Sequence, residues 1–449
     1  MLVAGVALFA LMIAGAVIPV LVVVIAAPLL LAIMRRPQRG VLLLALLVPF
    51  DGLLLIAHLP DSANAWKETL VGITLVATFV CPLDARAPRG RVRPAWLAPL
   101  VALVLIGVGS AAAAHDLSSV LGVKVDFFYV LLAFAVWRCP LDARERDRLV
   151  SIFMMTGFVC ALVGLWQQVV GDVALHDLGY EYNTTIRSAG SLLRSFSTFQ
   201  SPFSFAFYEM MVLLLCLPIA LAAPRRARNR AFLLVSPVIA LGMMSSIVRA
   251  SVLGLGVGLA YLGFRRYRLL LAGLPIAFLV ALVLGLAGGA AVSSFSSATS
   301  FGARQTGWEE NFVQIAQHPL GVGIGTTGAA AEKAAKLEFV PANSYNPDNY
   351  YFKTVYELGV IGLWMFVLFL IGAFTSTRRA AVHANPRDGP FLDGVGALVL
   401  GAATASLVAN FFDAFPLDVE FWLLIAIVAA IGAAPRARDR DREEAEAIG

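Results

Sequence analysis

Two sets of polar residues could do chemistry in this chain. The first is a set of arginines: Arg187 and Arg194, the latter opening Arg194-Ser-Phe-Ser-Thr-Phe-Gln-Ser-Pro202; Arg249, in Ser245-Ser-Ile-Val-Arg-Ala-Ser251; and Arg304. Arginine presents a fixed fork of N–H donors that matches phosphate oxygens. The second set lies in Pro341–Gly362, where a polar loop enters an apolar helix. Asp348 could accept a proton from a hydroxyl, and Asn349 and Tyr350 could orient a sugar. Glu357 lies about two turns further on, with Lys353 four residues before it as a local ion-pair partner. Lys124 and Asp126, in an apolar segment, are expected to pair with each other or with the arginines. Asp348 also has a plain reading as a helix N-cap, and Arg249 one as a lipid-facing anchor.

The elements that must position these groups are membrane helices. The chain has 449 residues, is 59% hydrophobic and only 14% charged, with a mean hydropathy of +0.82. Soluble domains carry about a quarter charged residues. Helices satisfy their own backbone groups in lipid, and the alternation a barrel needs is absent, so the expected fold is an all-α polytopic membrane protein. A span needs roughly 20 apolar residues. Residues 2–34 read as a hairpin broken at Pro19 or as one long kinked helix. Further spans are expected near 40–57, 67–83, 95–113, 118–137, 149–170, 204–223, 231–247, 250–264, 269–291, 351–376, 393–413 and 417–434. This gives about 12–14 transmembrane helices in one integral membrane domain, 1–449.

The net charge of +5 is not a nucleic-acid signature, because the basic residues fall in short runs between apolar segments. Fourteen crossings from a cytoplasmic N-terminus put every such run inside. The same topology leaves two outer loops, 171–203 and a large one at 292–350, and a cytoplasmic tail at 435–449. The large loop is expected to be helical from Arg304 to Gln317, with Trp308, Phe312 and Ile315 on one face. The arginine set then falls on the outer side, against the positive-inside rule. Asp413 and Asp418 flank a short outer turn and are expected to be solvated.

His318-Pro-Leu-Gly-Val-Gly-Ile-Gly-Thr-Thr-Gly328 follows no strand and is not a nucleotide fingerprint. Its glycines suit a tight turn whose amides could receive an anion. The hexapeptide Cys-Pro-Leu-Asp-Ala-Arg occurs at Cys81–Arg86 and again at Cys139–Arg144, and reads as a reused helix stop. The four cysteines and five histidines form no metal-ligand spacing, so neither a metal nor another cofactor is indicated. No cleavable signal peptide is expected at the start.

Taken in order, these stretches resemble the O-antigen ligase and polymerase superfamily of bacterial membrane glycosyltransferases. Arg194–Pro202 is similar to the family's Arg-x-x-Gly-x-Phe-x-Asn-Pro, with Ser197 for Gly and Ser201 for Asn. Val248-Arg249 resembles its Ser-Arg pair, with Val for Ser. Arg304-x-x-x-Trp308 and His318–Gly325 resemble its Arg/Trp helix and glycine turn. Asp348-Asn-Tyr-Tyr-Phe and Glu357-Leu-Gly-Val-Ile-Gly362 resemble its His/Asp-Asn-x-Tyr-Leu and Glu-x-Gly-x-x-Gly stretches. The resemblance covers residues 185–365.

It implies a GT-C-like fold and metal-independent transfer of glycan from undecaprenyl diphosphate, on the outer face of the bacterial inner membrane. Its implied partners are a lipid-linked donor, a glycan acceptor, the bilayer and a chain-length regulator, with no nucleic acid. Arg194, Arg249 and Asp348 would be catalytic. Arg304, Arg187, Asn349, Tyr350, Glu357 and Lys124 would bind substrate. Ligases of the family usually carry His where Asp348 stands, which favours a polymerase. The alternatives are a ligase that moves finished glycan to a lipid or protein, and a flippase for lipid-linked sugars.

Overall fold

The computed structural model describes residues 27–57, 64–81, 93–189, 192–271, 312–336, 347–383 and 385–433. Helix α1 (Gln38–Leu47) runs on as a 3-10 turn to Leu55 and is followed by α2 (Trp66–Val80). Next come α3 (Leu97–Ala114), α4 (Leu117–Phe127) and α5 (Val130–Arg138). The longest helix, α6 (Ala143–Asp177), leads to a hairpin of β1 (Arg187–Ala189) and β2 (Leu192–Arg194). After it come α7 (Pro202–Ala222), α8 (Ala227–Ser245) and α9 (Arg249–Arg265). A short helix, α10 (Gly328–Lys336), precedes α11 (Tyr350–His383), α12 (Gly389–Ala405) and α13 (Leu417–Ala433). A 3-10 turn at Phe411–Asp413 sits between the last two.

The protein is an all-α polytopic membrane protein. Five described helical stretches are long and apolar enough to cross a bilayer alone: Gln38–Leu55, α3, α6, α7 and Tyr350–Val382 of α11. The pair α4 and α5 makes a sixth if counted as one span, although the two meet at 44°. The single span expected at 118–137 is therefore bent, with Asp126 next to the bend. The expected spans at 2–17 and 269–291 fall almost entirely outside the described residues, as does the tail at 435–449.

Opposite ends of the bundle differ in chemistry. At one end the basic runs find acids on neighbouring helices: Arg146 with Asp388 at 2.8 Å, Arg228 with Asp147 at 3.0 Å and Arg265 with Asp393 at 3.5 Å. Asp142 and Glu145 close a reciprocal capping box at the start of α6 there. At the other end the start of α11 bonds to the end of α12, and Ser195, ahead of α7, bonds to the end of α8.

Among the described residues, two helices carry a break. The one in α11 is at Gly359, whose φ of +71° favours glycine. A Cβ there would lie 2.6 Å from the carbonyl carbon of Leu320. The turn 319–323 plugs the break. Val322 and Gly323 donate to the carbonyls of Tyr356 and Glu357, and Val360 donates to Pro319. Groups that a helix break strands in lipid are thus paired. The other break, at Gly171, lies inside α6, so the outer loop expected at 171–203 remains helical to Asp177.

Candidate functional site

The arginine half of the site is built on α6. Gln167 accepts from the amides of Phe196 and Ser197 at 3.0 and 2.8 Å and donates to the Ser197 carbonyl at 2.9 Å. Gln168 donates to the Leu193 carbonyl and to Ser195 Oγ, at 2.8 and 2.7 Å. Thr198 donates to the Pro49 carbonyl at 2.6 Å, and Gln200 to Asp51. Asp51 also receives Trp66 Nε1 at 2.8 Å and Lys67 Nζ at 3.1 Å. Gln167 and Gln168 hold 193–197 in one shape, and residue-type reasoning singles out neither. Two polar residues in an apolar span were the available signal.

The departures from the family motif have local reasons. Ser197 has φ +54°, the left-handed region where the family's glycine is at ease. Ser201 caps α7 by accepting from the Ser204 amide at 3.2 Å, a task its Asn counterpart shares. Val248 occupies the N-cap of α9 without a side-chain bond.

The hairpin register pairs Arg187 directly with Arg194. Like charges facing across strands are unfavourable, so the pairing suits a place that receives an anion. Arg194 is half-buried; its Nε donates to the Ser246 carbonyl at 3.2 Å and its guanidinium lies 4.9 Å from the Phe203 ring. Burial pulls its pKa below the ordinary arginine value. Arg187 and Arg249 act in the same direction, and Asp348 opposes them. Four of the residues singled out in the sequence therefore share one electrostatic neighbourhood. Arg249 is the first residue of α9, so helix amides point the same way.

The second set, in Pro341–Gly362, differs from its sequence reading. Asn349, not Asp348, caps α11: its Oδ1 accepts from the amides of Tyr351 and Phe352 at 2.9 and 3.2 Å. Its Nδ2 donates to the Leu407 carbonyl at 2.8 Å. Tyr350 is buried between the rings of Phe366 and Phe412, and its amide donates to Ser406 at 3.0 Å. Both residues expected to orient a sugar are committed to joining α11 to α12. Asp348 stays exposed.

Glu357 is 2% exposed and accepts at one oxygen from the amide and hydroxyl of Thr327, at 2.8 and 3.0 Å. The glycine turn does receive an anion, but it is the chain's own carboxylate. Lys124 pairs with Glu68 at 2.8 Å rather than with Asp126 or the arginines. Asp126 goes to Lys353. Asp413 and Asp418, expected in solvent, have buried side chains. Glu209 and Glu420 are fully buried, and among the described residues neither carboxylate accepts a hydrogen bond. Arg304 and Trp308 lie outside the described residues; 312–317 is helical as expected.

The fold and this face define a class: a multi-pass helical membrane protein with an arginine cluster at the end opposite its ion-paired basic end. Residues 231–367 match the family described as O-Antigen ligase. That segment contains Arg249, Asp348 and Glu357 but not Arg194. Over 249 residues the chain is also 22% identical to an O-antigen polymerase of Salmonella muenchen, a match covering 51% of the chain and 60% of that relative's length. Both matches point to similarity with the O-antigen ligase and polymerase superfamily, a class of glycan-transferring enzymes, over part of the chain.

Proposed function

We propose that the chain polymerises lipid-linked polysaccharide repeat units on the outer face of the bacterial inner membrane, with a GT-C-like architecture. The observation that carries this reading is the gathering of Arg187, Arg194 and Arg249 with Asp348. The donor is a glycan on undecaprenyl diphosphate. Arg194 and Arg249 bind the diphosphate and stabilise the charge that develops as the anomeric carbon–oxygen bond breaks. The acceptor hydroxyl attacks that carbon from the opposite face, which inverts it, and Asp348 takes the hydroxyl proton. The arginines carry the charge stabilisation themselves, so the mechanism calls on no metal.

The test is Arg194→Ala and Arg249→Ala in cells. The expected result is loss of polymer with membrane levels of the protein unchanged; normal chain length in both contradicts the proposal. Wild-type turnover by Asp348→Asn on purified lipid-linked repeat units would remove Asp348 as the base. The ligase reading draws on the matched family's description. It is separated by product, a single transfer to a lipid or protein instead of a ladder of repeats, and Asp348 in the position of a ligase His weighs against it.

A further inference from the structure

A second charged group lies inside the bundle, five residues along the chain from Asp348. Lys353 Nζ is 2.6 Å from Asp413, 2.9 Å from Asp126 and 3.8 Å from Glu357. All four side chains are 6% exposed or less. Four segments meet here: the end of α4, the first turns of α11, the 3-10 turn before α13 and the glycine turn before α10. Gly328 lets the last two approach, for a Cβ on it would collide with Asp413 Oδ2. The Ala329 amide faces the same oxygen at 3.4 Å.

Stability alone is a poor reason for such a group. Replacing a buried ion pair with apolar residues is often neutral or stabilising, and the best-attested use of one is to fix register. The register at stake is visible. On one side the start of α11 is sewn to the end of α12 through Asn349 and Tyr350. Helix α12 packs along α9, which begins with Arg249. On the other side Lys353 alone joins the start of α11 to α4 and the 3-10 turn, among the ion pairs of the described residues.

We propose that Lys353 is a positioning residue for glycan transfer: its grip on Asp126 and Asp413 sets the depth and rotation of the helix start that holds Asp348 against Arg194 and Arg249. This rests on the reading of those three residues as the reacting site. A displacement of about 1 Å in a reacting group can cost roughly 100-fold in rate.

The experiment compares two variants in the purified full-length protein. One is Lys353→Met; the other combines Lys353→Met with Asp126→Asn, Asp413→Asn and Glu357→Gln, which removes the stranded charges. Donor affinity is measured with undecaprenyl-diphosphate-linked repeat units, and turnover with the same compound. The neutral variant is expected to accumulate in the membrane and bind donor within about twofold of wild type, while its kcat falls roughly 10–100-fold. Lys353→Arg, which keeps the charge, is expected to recover part of the loss. Wild-type kcat in the neutral variant overturns the proposal. So does an equal loss of affinity and kcat, or failure of both variants to accumulate, since each describes a scaffold role only. Arg249→Ala and Asp348→Asn in the same assay separate the two levels: full activity in those overturns the site itself, whatever Lys353 does.

Discussion

Asp348 and Lys353 are five residues apart and belong to opposite kinds of electrostatics. Asp348 is exposed and acts electrostatically on Arg194, which stands beside Arg187 in the hairpin and feels Arg249 as well. Lys353 is 2% exposed and surrounded by three carboxylates. The outer set holds like charges together where water and ligand can reach them. The inner set pairs one ammonium with carboxylates of the opposite sign where neither can. Like charges held together suit the arrival of an anion, and buried charges of opposite sign suit a fixed register.

The largest effect that would break this contrast is in the arginines. Arg249→Ala is expected to cost about 100–1,000-fold in turnover, the scale of losing one stabiliser of developing charge, with the thermal midpoint unchanged. A fall in the midpoint of the size expected from a buried pair would place Arg249 with the inner set. Gly359→Ala comes next. It forces a Cβ onto the Leu320 backbone at positive φ, and is expected to reduce folded protein in detergent by a strain of about 1–3 kcal/mol. The neighbours Asp348 and Asn349 divide the contrast most finely. Asn349→Ala should lower stability by about 0.5–2 kcal/mol as a lost cap, whereas Asp348→Ala should leave stability alone and reduce turnover. Reversal of the two outcomes would return the cap to Asp348. Smallest is Arg146→Ala at the ion-paired basic end, where a partly exposed pair contributes about 0–1 kcal/mol; turnover there should not change.

Helix boundaries were legible because apolar span length is a strong constraint. The expected spans 95–113, 204–223 and 417–434 lie within two residues of α3, α7 and α13. The break at Gly359 was not legible, since the groups that satisfy it come from the turn at 319–323, far away in sequence. The Lys353 group was hidden for the same reason: Asp126 and Asp413 are 227 and 60 positions from it, and sequence offered only Glu357, its weakest contact at 3.8 Å. Asp348 and Asn349 are both preferred caps, so sequence could not choose between them. The arginines were found one at a time by their position against the charge rule. That Arg187 faces Arg194 needed the hairpin register.

The central claim is that this face breaks a glycosyl–diphosphate bond and makes a glycosidic one. Purified protein in liposomes, incubated with undecaprenyl-diphosphate oligosaccharides with and without chelator, tests it most directly. The account predicts longer glycan chains and stoichiometric release of undecaprenyl diphosphate, both unaffected by chelator. Transport of the lipid-linked sugar driven by an ion gradient, with no new glycosidic bond, would contradict it.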